Sequence, residues 1–176
     1  NEITIEAWVK PEKTSGSVRA RIITVSKDGS ERHFSLEQHE GSYLVRLRTS
    51  EASKNGIPGL ATPKGLITTD LTSIIFTRDS AGEARLYING VEQNRSKLEG
   101  DFSLWDDSYK LGLGNEFRGR RPRSDEVEPW AGEIHGIAIY NRAKTAEEVQ
   151  QSFLPFIDLQ GTAKLANIAP PLDVQM

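Results

Sequence analysis

At 176 residues, with hydrophobic side chains at 36% and charged ones at 27%, the chain is long enough for one two-layer domain and too apolar to stay disordered. Its net charge of −3 leaves no global basic field to gather nucleic acid, and no apolar run nears the roughly 20 residues of a membrane-spanning helix. Cysteine is absent, which excludes disulfides, thiolate metal sites and cysteine nucleophiles.

The first element is a strand over Ile3–Val9, where alternation puts Ile3, Ile5, Ala7 and Val9 on one face and Lys10-Pro11 ends the run. Arg21–Ser26, Arg32–Glu37 and Tyr43–Arg48 follow as antiparallel hairpins, punctuated by Lys27-Asp28-Gly29-Ser30 and Glu40-Gly41-Ser42. From Ser50 to Lys64 the composition shifts to Ser, Asn, Gly, Pro and Ala, which reads as a long surface excursion of the kind that often carries function. The strand pattern resumes at Ser73–Arg78. Glu83–Ile88 then runs into Asn89-Gly90 with further chain returning behind it, a β-hairpin whose two-residue loop suits a type I′ turn. Tyr109–Gly114 and Glu133–Tyr140 supply two more strands.

One helix is predicted over Thr145–Phe153. Thr145 and Glu148 form a capping box, Val149 and Phe153 make an apolar stripe at i and i+4, and Pro155 is expected to stop it. In the remainder, 155–176, Ile157-Asp158-Leu159 or Ala163–Ala166 is each a candidate added edge strand before Pro170-Pro171. Nine or so short strands and one helix predict an all-β antiparallel sandwich or jelly roll over 1–154.

Particular words in this pattern are recognisable. Thr4-Ile5-Glu6-Ala7-Trp8-Val9-Lys10-Pro11, Ala84–Val91, Leu111-Gly112-Leu113-Gly114, and Trp130-Ala131-Gly132-Glu133-Ile134 running to Ala143 and the Glu147-Glu148-Val149 helix occur in that order. Together they resemble the laminin-G-like jelly roll of the concanavalin A-like lectin/glucanase superfamily. The resemblance implies a non-catalytic module that binds carbohydrate or protein through end loops or the concave sheet. It implies an extracellular, periplasmic or cell-surface location within a larger protein, and it leaves glycoside hydrolase and structural spacer as alternatives. The chain departs from the family around Leu71–Ile75 and at His135-Gly136. The family's first strand normally precedes the Ile-Glu-Ala-Trp motif, so a trimmed chain or a replacement strand from the tail is expected. Because the first residue is Asn1, a leader or upstream domains are expected to have been removed.

Glycoside hydrolysis needs two carboxylates facing one another about 5 to 10 Å apart. Family hydrolases carry them as Glu-x-Asp-x-Glu on one strand, whereas the acid run Asp125-Glu126-Val127-Glu128 lacks that pattern and Pro129 reads as loop. Arg118, Arg120, Arg121 and Arg123 precede it, either as a loop held by ion pairs or as guanidinium forks for an acidic sugar or a partner's carboxylate. Between Leu98 and Tyr109 lies an acidic loop. Asp101, Asp106 and Asp107, with Asp79, are candidate calcium ligands, an ion that relatives of this fold hold near the sandwich rim; an ordinary acidic loop is the other reading. Trp105 either stacks on a sugar ring or plugs the sandwich end, while Trp8 and Trp130 read as core. His33 and His39 lie too far apart on one strand to share a metal, and His135 reads as a buried imidazole. No nucleophile elbow, phosphate loop or zinc spacing is present.

Overall fold

The computed structural model describes residues 1–16, 19–117 and 127–159. Among the described residues are eleven strands and one helix: β1 Ile3–Pro11, β2 Arg19–Asp28, β3 Glu31–His39, β4 Ser42–Leu47, β5 Leu60–Ala61, β6 Thr72–Arg78, β7 Glu83–Ile88, β8 Val91–Lys97, β9 Lys110–Leu113, β10 Val127–Pro129, β11 Gly132–Tyr140 and α1 Ala146–Leu159. They form two stacked sheets, ordered β11-β1-β6-β7-β8 and β10-β2-β3-β4-β5, with β9 also pairing β2. The described pairings are antiparallel except that of β10 with β2. This is the all-β sandwich with one helix that the alternation predicted.

The core follows from period-two burial. Ile3, Ile5, Ala7 and Val9 of β1 face Phe34, Leu36, Val45 and Leu47 of the opposite sheet, and all of them are buried. Asn89 (φ 51°) and Gly90 (φ 78°) both take the positive φ that a type I′ turn requires. Asn89 also fixes the hairpin to β6, since its Oδ1 accepts the Ser73 N–H at 2.9 Å. At the helix start, Thr145 N–H donates to Glu148 Oε2 at 2.9 Å while Glu148 N–H donates to Thr145 Oγ1 at 3.3 Å, completing the capping box. Val149 then buries itself against Ile75 and Tyr87 on the outer face of the first sheet. Beneath the chain entering the helix, buried Glu6 pairs with Lys144, whose ammonium also sits 4.5 Å above the Tyr140 ring.

Several expectations are corrected. The helix continues through Pro155 to Leu159: proline's φ is itself helical, so the lost backbone donor and the ring's crowding of the preceding turn weaken the helix without ending it, and Ile157-Asp158-Leu159 is helix, not edge strand. Ala163–Ala166 lies outside the described residues. Pro129 closes a short parallel strand rather than a loop, at the edge position proline tolerates. The 50–64 excursion folds back onto β4, with Leu60 opposite Val45 and Ala61 opposite Leu44. His135 is exposed on the edge strand β11, 3.1 Å from Glu133. Trp130 is buried as expected, with its Nε1–H donating to Gln38 Oε1 at 3.1 Å; Trp8 is only half-buried.

Candidate functional site

The acidic loop between β8 and β9 is pinned by its own backbone and by rings. Asp101 Oδ1 accepts the Ser103 N–H at 3.0 Å, Asp106 Oδ1 accepts the Ser108 N–H at 2.8 Å, and Asp79 Oδ1 accepts from Ala81 and Glu83 at 3.0 and 2.9 Å. Each of these carboxylates thus closes its own turn, and Asp107 is exposed. Among the described residues, no group of three or more His, Asp or Glu side chains gathers as a metal-ligand set. Serine donors hold Asp101 and Asp106 below the usual carboxylate range.

Trp105 is half-buried at the sandwich end. Its ring stacks on His33 (4.7 Å between centroids) and on Phe102 (4.4 Å), and its Nε1–H donates to the Arg48 carbonyl at 2.8 Å. His33 in turn stacks on Tyr109 at 4.3 Å, and Arg78 lies 5.2 Å from the centre of the Phe102 ring. His33 Nε2 accepts the Asp106 N–H at 3.2 Å, so the imidazole is neutral; burial lowers its pKa. Trp105 accordingly packs against the core as a plug. Arg118, Arg120, Arg121, Arg123, Asp125 and Glu126 lie outside the described residues.

The densest chemistry lies elsewhere, on the face of the second sheet turned away from the core. Phe34 and Leu36 of β3 point inward, so the alternating Ser35 and Glu37 point outward. Register places Arg21 opposite Glu37 and Arg46 opposite Ser35. Arg21, Arg32, Glu37 and Arg46 are all nonetheless buried. Glu116, from the segment after β9, joins them with its side chain only 4% exposed.

All four carboxylate oxygens of the two glutamates are engaged. Glu37 Oε1 accepts from Arg46 Nε at 3.1 Å and Ser35 Oγ at 3.2 Å, and its Oε2 pairs with Arg21. Glu116 Oε1 accepts from Ser26 Oγ and from the Phe117 N–H at 3.0 Å. Its Oε2 lies 3.3 Å from Arg21 Nε and 3.4 Å from Arg32 Nη1. Arg21 bridges both acids, so the two carboxylates come together with every oxygen already facing a donor from this chain. With Arg19, whose Nε lies 4.0 Å from Glu37, the cluster among the described residues holds four guanidinium groups against two carboxylates. Among the described residues, Arg32 Nε and Arg19 Nε are buried without a hydrogen-bond acceptor. Burial, then the neighbouring charge of Arg21, pushes the Arg32 guanidinium down to about 10, and burial likewise lowers Arg46. This is a cationic surplus in a poorly solvated place.

The sequence reading missed this cluster, because charges at outward strand positions read as solvated. Folding the β2–β3 hairpin on its Asp28-Gly29-Ser30 turn was the available signal, since that register places Arg21 near Glu37.

Comparison with known proteins agrees with this architecture. The carbohydrate-binding module CBM40 of the Ruminococcus gnavus IT-sialidase, solved bound to α2,3 sialyllactose, superposes with a TM-score of 0.66 at 18% identity, covering 86% of this chain and 82% of that one. The receptor-binding domain of the botulinum neurotoxin mosaic serotype C/D superposes at 0.63 with 17% identity, over 89% of this chain and 37% of that one. The botulinum neurotoxin DC binding domain, solved in complex with rat synaptotagmin II, does so at 0.58 with 14% identity, over 88% and 35%. At such identities the likeness carries the fold, and these similar structures are binding domains. No curated protein sequence matches significantly. A laminin-G family model of the Concanavalin A-like lectin/glucanases superfamily matches residues 1–150, so the chain belongs to that superfamily.

Proposed function

We propose that this chain is a non-catalytic recognition module that binds a carboxylate-bearing glycan on the outer face of β2, β3 and β4, as part of a secreted or surface protein. The observation that carries the reading is the surplus of guanidinium groups gathered from three adjacent strands, with buried donors that lack acceptors. Guanidinium forks match carboxylates in shape and charge, and burial strengthens each such hydrogen bond beyond its value in water. The sialyllactose complex of a similar fold supports an acidic sugar over a neutral one. The absorbed carboxylates of Glu37 and Glu116 speak for binding and against hydrolysis. Among the described residues, no helix is long and apolar enough to cross a membrane.

A glycan array run at low and high salt, with calcium and with chelator, tests the reading. Retention of acidic glycans, weakened by salt and indifferent to chelator, supports it. Retention of neutral glycans alone refutes it.

A further inference from the structure

The two carboxylates of the cationic face are held in different ways. Glu37 belongs to β3, flanked by β2 and β4 in its sheet, and register sets Arg21 directly opposite it. Glu116 belongs to the connecting segment after β9 and meets Arg21 across 95 residues of sequence and Ser26 across 90. Its guanidinium contacts, 3.3 Å from Arg21 Nε and 3.4 Å from Arg32 Nη1, are longer than the roughly 2.7–2.9 Å of a well-formed charge-assisted bond. Glu37 pairs with Arg21 and with Arg46, the latter at 3.1 Å.

Two guanidinium groups and a serine hydroxyl thus converge on one carboxylate that the sheet itself does not supply. Arg32 Nη1 also donates to Ser35 Oγ at 3.1 Å and its Nη2 to the Gly29 carbonyl at 2.6 Å, so the fork is held in place independently of Glu116. Its Nε finds no acceptor among the described residues. A donor set already oriented in this way recognises a carboxylate whether or not that carboxylate is tethered, because little further ordering is needed on binding.

Resting on the acidic-glycan reading above, we propose that Glu116 is a tethered stand-in for the ligand's carboxylate: it occupies the anion position formed by Arg21, Arg32 and Ser26, and an acidic ligand binds by displacing it. Glu116 therefore sets the affinity of the face. The guanidinium set rejects neutral sugars, which offer it no carboxylate, and Glu116 keeps the buried guanidinium groups paired when no ligand is present. The exchange swaps one carboxylate for another, so the pairing is conserved throughout.

The test compares wild type with Glu116→Ala, using sialyllactose, lactose and acetate as probes. Calorimetry should show sialyllactose binding the variant at least tenfold tighter than wild type, with lactose bound by neither. The melting temperature of the variant, lowered by the lost carboxylate, should climb with acetate concentration while that of wild type stays level, because ligand binding to the folded state alone stabilises it. Binding of sialyllactose to both proteins with equal strength, together with no acetate response, overturns the tether and leaves the glycan reading standing. An acetate response in the variant with no sialyllactose binding to either protein overturns the glycan reading and leaves the tether standing. If Glu116→Ala fails to fold even in acetate, Glu116→Gln, which keeps the shape and removes the charge, is judged by the same two criteria.

Discussion

Replacing Glu37 by glutamine removes one negative charge from a place water does not reach. Glu37 is fully buried and touches Arg21, Arg46 and Ser35, so no solvent screening softens the change. Breaking a buried ion pair by deleting one partner costs about 3–5 kcal/mol, because the remaining charge stays buried without compensation. Glutamine can still accept one hydrogen bond, which places the expected loss near the lower end, about 3 kcal/mol. At about 2–4 °C per kcal/mol for a domain of this size, the melting temperature falls by roughly 6–12 °C. Urea unfolding followed by tryptophan fluorescence reads the free energy, and circular dichroism reads the melting point. Adding Arg46→Met should recover part of the loss, since removing both partners relieves the unpaired charge. A loss below about 1 kcal/mol, or strict additivity in the double variant, would refute the view that this cluster is a tightly coupled buried unit.

Other consequences concern pH and the sandwich end. Glu148 is held at about 2, first by the Arg142 guanidinium at 2.7 Å and then by the Thr145 amide, so its contribution is fully present above the ordinary carboxylate range and lost as pH falls toward 2. The stability gap between wild type and Glu148→Gln, measured by urea titration, should therefore close as pH drops from about 4.5 to about 2. Burial lowers His33, so below about 6.5 the unfolded chain takes up a proton that the folded chain resists, and stability falls as pH drops. The charged groups facing it oppose one another, Asp106 favouring the proton and Arg48 disfavouring it. His33→Phe keeps the ring stack and should flatten the slope in part, His39 supplying the remainder, as urea titrations between pH 7 and 5 will show. Trp105→Ala removes contacts with Phe102 and His33 and one hydrogen bond, costing about 3 kcal/mol. At a temperature where that variant is folded, its sialyllactose affinity should match wild type.

Much of the sandwich was legible because local signals and tertiary packing agreed. Alternation in Ile3–Val9, the Asn89-Gly90 turn and the Thr145/Glu148 capping box each specify a geometry that the structure adopts. β10 was illegible because three residues ending in proline carry no strand signal, and their pairing with β2 arises from a parallel contact remote in sequence. β5 was hidden for a related reason, two residues inside a stretch rich in turn formers. His135 misleads because its apolar neighbours suggest burial, whereas β11 lies at the sheet edge and the imidazole is exposed. The cationic cluster was the largest miss. Outward strand positions bearing Arg21, Glu37 and Arg46 are normally solvated, and here Glu116 arrives on them from far along the chain. The Trp105 ring was readable as an aromatic at the sandwich end, but its role depended on the His33 and Phe102 rings that no local pattern pairs with it.

The most direct test of the account is a titration of the isotopically labelled protein with sialyllactose and with lactose, followed through the arginine Nε–Hε and backbone amide resonances. The account predicts that sialyllactose shifts the signals of Arg21, Arg32 and Arg46 together with the amides of β2–β4, that added salt reverses the shifts, and that lactose leaves them in place. Shifts produced equally by lactose, or mapped onto the acidic loop between β8 and β9 with the arginine signals unmoved, would contradict it.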